Sequence, residues 1–127
     1  MIEALFNQPN YVGAKKMLEA TVLRHEAIAS NIANLEQPNY KRMDLSPSFQ
    51  RELGRALGTR DTAQIASLKP QLAVDTQSVA STKDGNSVHL EHELSQLSQN
   101  YVQSAVENQF VTGNLLKLRM AITGRSA

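Results

Sequence analysis

Residues that are mostly apolar or small recur at alternating spacings of three and four near both ends of this chain, and the rhythm fails in between. Tyr11, Ala14, Leu18, Thr21, His25, Ile28, Ile32 and Leu35 follow it at the first end. That is the a/d seam of a helix, held for more than three heptads. Leu90, Leu94, Leu97, Tyr101, Ser104, Asn108, Val111, Leu115, Leu118 and Ile122 repeat it at the other end. Asp84-Gly85-Asn86 makes a turn ahead of the second series, and Gly124 stands where a C-terminal stop is expected. A helix from Leu90 to Thr123 runs about 50 Å at about 1.5 Å per residue.

The middle is of another kind. Pro38, Pro47, Pro70, Gly54, Gly58 and Gly85 interrupt it, and it holds seven basic and six acidic residues between Leu35 and Asp84. Phe49 to Leu57 has room for a short helix capped by Ser46 or Ser48. Gln71-Leu72-Ala73-Val74-Asp75-Thr76 alternates like a strand, though one or two strands alone are marginal in water. The chain therefore divides into 1–36 plus 88–127, which carry the terminal helices, and 37–87, a loop-rich insert. Partial disorder of the insert before a partner binds is one option. The expected fold is mainly α: two long terminal helices paired as an antiparallel coiled coil, with a short helix or hairpin in the insert. Such a pair buries one seam and leaves its other faces without a core.

Composition narrows the function. The 127 residues carry 13 Lys plus Arg against 12 Asp plus Glu, a net charge of +1, where a dedicated nucleic-acid or anionic-membrane binder carries a basic excess. With no Cys in the chain, disulfide scaffolds, thiolate zinc sites and cysteine nucleophiles are excluded. No apolar run approaches the ~20 residues of a membrane span. Met1-Ile2-Glu3-Ala4-Leu5-Phe6 has an early acid and no basic n-region, unlike a cleavable signal peptide.

The second helix has an unusual surface. From Glu91 to Thr123 only five residues are charged: Glu91, Glu93, Glu107, Lys117 and Arg119. The acids come first and the bases last, which suits the helix dipole. Most other polar positions are amides or hydroxyls, which can hydrogen-bond while desolvated against another chain; a solvated face usually carries Glu and Lys pairs. Val102, Val106, Phe110, Gly113 and Met120 form a second apolar set off the main seam. The plain alternative is an ordinary helix with a weakly charged face. Two such terminal helices in one chain favour self-assembly.

Asn31 to Lys41 is the most informative stretch. Asn34 can end a helix because Asn tolerates the left-handed conformation. Pro38-Asn39 at the centre of Gln37–Tyr40 fits a type II turn, from which Tyr40 and Lys41-Arg42 emerge exposed.

This stretch resembles the motif A-N-x-x-T-P-G-Y-K of the rod and hook subunits of the bacterial flagellum. Ala33, Asn34, Pro38, Tyr40 and Lys41 match; Gln37 replaces the Thr, and Asn39 replaces the Gly while keeping the left-handed position usable. The likeness covers nearly the whole chain. Arg24, Ile28, Asn31-Ile32-Ala33-Asn34 and Asp44 resemble the N-terminal block of the FlgB family of proximal rod subunits. Asp84-Gly85-Asn86, Val88, Glu93, Asn100, Phe110, Gly113, Leu118, Ala121-Ile122 and Gly124 resemble its C-terminal block in order and spacing. His89 stands where an acidic helix cap is expected.

The resemblance implies a basal-body rod subunit in the periplasm-spanning part of the flagellum. Its partners would be other copies of itself, neighbouring rod and basal-body proteins, and the flagellar type III export apparatus, which it would pass without a cleaved signal. No cofactor, nucleic acid or small-molecule substrate is implied. The assembly positions would be Leu18, Ile28, Ile32, Leu94, Leu97, Tyr101, Phe110, Val111, Leu115, Leu118 and Ile122, in helices lying along a torque-transmitting shaft. Phe49 and Leu53 resemble the F-x-x-x-hydrophobic motif read at the export gate; at i and i+4 they equally suit packing within the subunit.

Signs of catalysis are weak. His25-Glu26 and His92-Glu93 begin H-E-x-x-H, but Ala29 and Gln96 occupy the second His position. His89, His92 and Glu93 have a spacing that suits a metal, though a solvated first turn is the commoner outcome. No phosphate loop or nucleophile elbow is present. An enzyme is not expected. The alternative to a rod subunit is a small helical adaptor or chaperone that binds a partner helix in an exposed seam.

Overall fold

The computed structural model describes residues 6–80 and 83–124. Its elements are α1 (Pro9–Ala33), β1 (Met43–Leu45), α2 (Pro47–Thr59), α3 (Thr62–Ser67), β2 (Leu72–Val74) and α4 (Leu90–Thr123). The chain is mainly helical. Among the described residues no helix is long and apolar enough to cross a membrane.

Each boundary has a local cause. Pro9 opens α1 where a missing N–H costs nothing. Asn34 closes it by donating its side-chain amide to the Ser30 carbonyl at 2.8 Å. Its φ of −104° shows that it does so without entering the left-handed region. That conformation falls instead on Asn39, at φ 61°, where the type II turn places it. Pro47 starts α2, and left-handed Arg60 ends it. Asp61 caps α3 by accepting from the Gln64 N–H at 3.1 Å. Gly124, at φ 64°, ends α4 as expected, its N–H bonded to the Met120 carbonyl.

The described residues of the insert form β1, α2, α3 and β2. β1 and β2 pair antiparallel in the register Met43↔Val74, Asp44↔Ala73, Leu45↔Leu72. Phe49, Leu53 and Ala56 share one face of α2 and bury it. With Ala20, Leu45 and Ile65 they form the core, flanked by Val12, Met17, Leu23, Leu57, Leu68 and Leu72. The main apolar core thus lies between α1 and the insert rather than between the two long helices. Gly13 lets the layers approach: a Cβ there would sit 2.5 Å from Leu57 Cδ2.

Phe49→Ala removes the aromatic ring of this core cluster and should cost about 3–5 kcal/mol. Urea unfolding of the purified variant, followed by circular dichroism, checks it.

Candidate functional site

α1 and α4 lie side by side, and their contact is polar. Thr21 donates its hydroxyl to Glu107 Oε2 at 3.0 Å. Asn100 donates its side-chain amide to the Thr21 carbonyl at 2.9 Å. Ten residues further along α1, Asn31 donates to Glu93 Oε2 at 3.2 Å. Partners on α4 therefore run backwards as α1 runs forwards. Glu93, Asn100 and Glu107 are the buried residues of α4, with Leu97, Ser104, Val111, Asn114 and Leu118 half-buried between and beyond them.

This differs from the expected seam at every second position. Leu97, Ser104, Val111 and Leu118 belong to both series. Glu93, Asn100, Glu107 and Asn114 take the places expected of Leu94, Tyr101, Asn108 and Leu115, one residue on. That shift turns the apolar members outward: Tyr101 is 76% exposed and Leu94 49%. Val102, Val106, Phe110, Leu115 and Ile122 are exposed as well. On α1, Ile28 is buried and Leu18 and Ile32 are half-buried, but His25 is exposed. The cause is hydrogen bonding. Buried Thr21 and Asn31 offer polar groups to α4, and Glu93, Asn100 and Glu107 meet them where apolar side chains could not. Asn100 Oδ1 is left buried without a partner among the described residues.

At one end of this seam is a buried arginine. Arg42 was expected to leave the turn exposed; it is 2% exposed. Its Nε donates to Glu93 Oε1. Its Nη1 donates to Asp44 Oδ2 at 3.1 Å and to Asp75 Oδ2 at 2.8 Å. Asp44 also accepts from Arg24 Nε at 3.1 Å. Three carboxylates and two guanidiniums thus join α1, the segment around β1, the residue after β2, and the first turn of α4. Burial works to raise the Asp44 carboxyl, but the Leu45 N–H and then the two guanidiniums overcome it and hold its pKa below the ordinary value. Burial likewise works against the Arg42 charge, and Glu93 and Asp44 more than offset it, so its pKa rises.

Asn31 reads the same point from α1. Its amide nitrogen donates to the Met43 carbonyl at 2.9 Å, and its oxygen accepts from the Met43 N–H at 3.0 Å. The Tyr40 hydroxyl reaches that oxygen at 3.3 Å.

The two turn motifs meet directly beside it. Asn39 N–H donates to the Asp84 carbonyl at 2.8 Å, and Lys41 Nζ to the Gly85 carbonyl at 3.0 Å. Ser87 N–H returns a bond to the Tyr40 carbonyl at 3.1 Å, while Ser87 Oγ accepts from the Arg42 N–H at 2.9 Å. Buried Asn86 places its amide nitrogen 2.8–2.9 Å from the carbonyls of Asn34, Leu35 and Gln37. It thereby serves acceptors that the end of α1 leaves open. Gly85, at φ 78°, holds this turn with no room for a Cβ beside Asn39. Ala33 and Pro38 lie on the exposed side.

The remaining expected positions take simple places. Phe49 and Leu53 are core residues of α2. Glu93 is committed to Arg42 and Asn31, and His89 precedes α4 without a side-chain cap bond. Among the described residues no group of three or more His, Asp or Glu side chains is arranged to hold a metal ion. Arg42, and the roles of Asn86 and Glu107, were not anticipated from chemistry. One signal was available: Glu93, Asn100, Glu107 and Asn114 repeat every seven residues, a polar stripe parallel to the apolar one.

Family models give no match to the chain. Individual proteins do. It is 30% identical over 114 residues to the flagellar basal body rod protein FlgB of Aquifex aeolicus (strain VF5), covering 88% of this chain and 91% of that one. It is 30% identical over 105 residues to the FlgB of Borrelia hermsii, covering 68% of this chain and 76% of the relative. The chain is a component of the bacterial flagellar rod. Within that class it belongs to the FlgB family of basal-body rod proteins.

Replacing Arg42 by Met strands Glu93 as a buried charge and should cost about 3–5 kcal/mol; chemical denaturation at neutral pH measures it. Asp44 gives a pH signature. Its folded pKa lies below its unfolded value, so its stabilisation is complete above the ordinary carboxylate range, about pH 4. It is lost as pH falls through the folded value. Asp44→Asn should be less stable than the parent at pH 7, with the gap narrowing below pH ~3.5 in urea titrations across that range.

Proposed function

We propose that this protein is a structural subunit of the flagellar proximal rod. It assembles helically with copies of itself and with neighbouring rod proteins through its terminal helices, and it forms part of the torque-transmitting shaft. In the assembled state residues 1–36 and 88–127 act as one axial unit, an antiparallel coiled coil, with 37–87 mounted on its side. The subunit has a structural role rather than a catalytic one. It reaches the periplasm-spanning rod through the flagellar export apparatus without a cleaved signal, and Phe49 and Leu53 are offered to the export gate before the chain folds around them.

The observation that carries this reading is the orientation of α4. A helix that turns Glu93, Asn100 and Glu107 inward and Tyr101, Val102, Val106 and Phe110 outward is poorly suited to a solitary life in water. Exposed contiguous apolar surface marks an interaction face. Its near absence of charge suits burial on more than one side. Ala33, Asn34, Pro38, Asn39, Tyr40 and Lys41 serve this reading as the rigid corner that fixes α4 against α1. The FlgB relatives favour a rod subunit over a small helical adaptor.

Deleting Leu115 to Ala127 removes much of the outward apolar surface. The deletion should abolish motility in soft agar and leave isolated basal bodies without a complete rod. Retention of both would refute the assembly role.

A further inference from the structure

The outward apolar surface of α4 consists of two sides rather than one strip. At about 100° per residue, Val102, Val106 and Phe110 lie to one side of the stripe that faces α1, and Leu94, Tyr101 and Leu115 to the other. The two sides have different neighbours.

The first side borders the insert. There Gln103 of α4, Met17 and Ala20 of α1, and Leu53, Gly54 and Leu57 of α2 line an open, mainly apolar groove of about 300 Å³. Gly54 makes one wall low, with nothing within 4 Å of where its Cβ would be. Beyond Gly54 on the outer face of α2 stand Arg51 and Arg55, both exposed and neither in an ion pair among the described residues.

The second side is bordered by α1. Thr21 accepts from Asn100, so their successors, Val22 and Tyr101, emerge on the same side of the helix pair, 55% and 76% exposed. Four residues on from Val22, on the same face of α1, is Glu26. It is exposed and also without an ion-pair partner among the described residues.

One side is therefore a groove with a basic rim, and the other a ridge with an acidic rim. We propose that the groove between α2 and α4 of one copy seats the Leu94–Tyr101 ridge of a second copy, with Arg51 and Arg55 facing the incoming Glu26. This rests on the self-assembly reading and specifies which faces meet. Because the two surfaces differ, the contact is heterologous; it leaves a free groove and a free ridge after each addition and so supports continued growth rather than a closed pair. Charge at the rim selects the orientation, while the uncharged centre supplies the burial.

The absence of Cys makes the test direct. Full-length Gly54→Cys and Tyr101→Cys chains, co-expressed in motile cells and oxidised, should give an intermolecular disulfide species of two subunits. Arg51→Glu with Arg55→Glu should lower its yield several-fold, and Glu26→Arg in the partner chain should restore it. Tyr101→Cys chains that link only to each other would overturn the groove assignment while leaving self-assembly intact. A link from either position to a different protein would overturn the second copy as occupant. If cysteines at Leu94, Tyr101, Phe110 and Leu115 all fail to link copies, both the groove assignment and the self-assembly reading fall.

Discussion

A guanidinium removed from water costs several kcal/mol unless carboxylates replace its hydration, and Arg42 is so removed. The acids that compensate come from separated places: Asp44 beside it, Asp75 after β2, and Glu93 in the first turn of α4. For all three to reach one side chain, β2 must pair with β1 and α4 must begin beside the end of α1. The same demand holds Asn31, which shares Glu93 and grips Met43 through both its backbone groups. Asn86 and Ser87 complete the arrangement by bringing the chain into α4 along the path that the first turn leaves open. The two short motifs thus belong to one corner, although more than forty residues separate Asn39 from Gly85 in the chain.

From that corner α4 extends along α1 on a seam of hydrogen bonds. The neutral bond from Asn100 adds a net of about 0.5–1.5 kcal/mol and the two to carboxylates about 1.5–3 kcal/mol each. Three bonds thus serve a contact that a row of buried Leu or Val side chains, at about 1.5–3 kcal/mol each, would make stronger. The seam is therefore weak for its length but strict in register. An apolar seam can slide by a turn with little loss; Glu107 on Thr21 and Glu93 on Asn31 cannot, because either shift strands a buried carboxylate. Register is fixed by polar pairs within the subunit, and most of the apolar area of α4 is left for other uses.

The sequence made the two long helices, the stop at Gly124 and the left-handed turn at Asn39 legible, because these rest on local chemistry: periodicity, a glycine, and Pro-Asn at the centre of a turn. It misled on the face of α4. Leu94 and Tyr101 are better hydrophobes than Glu93 and Asn100, and a periodicity count assigns the better hydrophobe to the inside. Which stripe turns inward depended on Thr21 and Asn31, some seventy residues away. Arg42 was hidden for the same reason, since Asp75 and Glu93 become its neighbours only after folding. The packing of the insert was half visible: Phe49, Leu53 and Ala56 mark an amphipathic helix, but Leu45 and Ile65 join that core only once β1 and α3 pack against α1. Asn31, Asp44, Asn86, Glu93 and Asn100, which carried part of the family resemblance, prove to be pairing and capping residues. The resemblance pointed to them before any physical argument could say what they do.

The core and the polar seam divide the work of the fold. The insert gives α1 its apolar cover through Phe49, Leu53 and Ile65, so this part has a core without neighbours. α4 has none of comparable size. Tyr101, Val102, Val106 and Phe110 leave apolar area uncovered in a single copy, and its burial is stabilisation that the isolated fold does not realise. A subunit that completed both layers by itself would have little to gain from joining others. One that completed neither would reach its neighbours without a defined shape. Here the Arg42 corner fixes α4 against α1 within a single copy, so the apolar faces arrive at a neighbour already in register. Under the proposed assembly, the free energy of joining then comes mainly from surfaces that the isolated fold leaves uncovered.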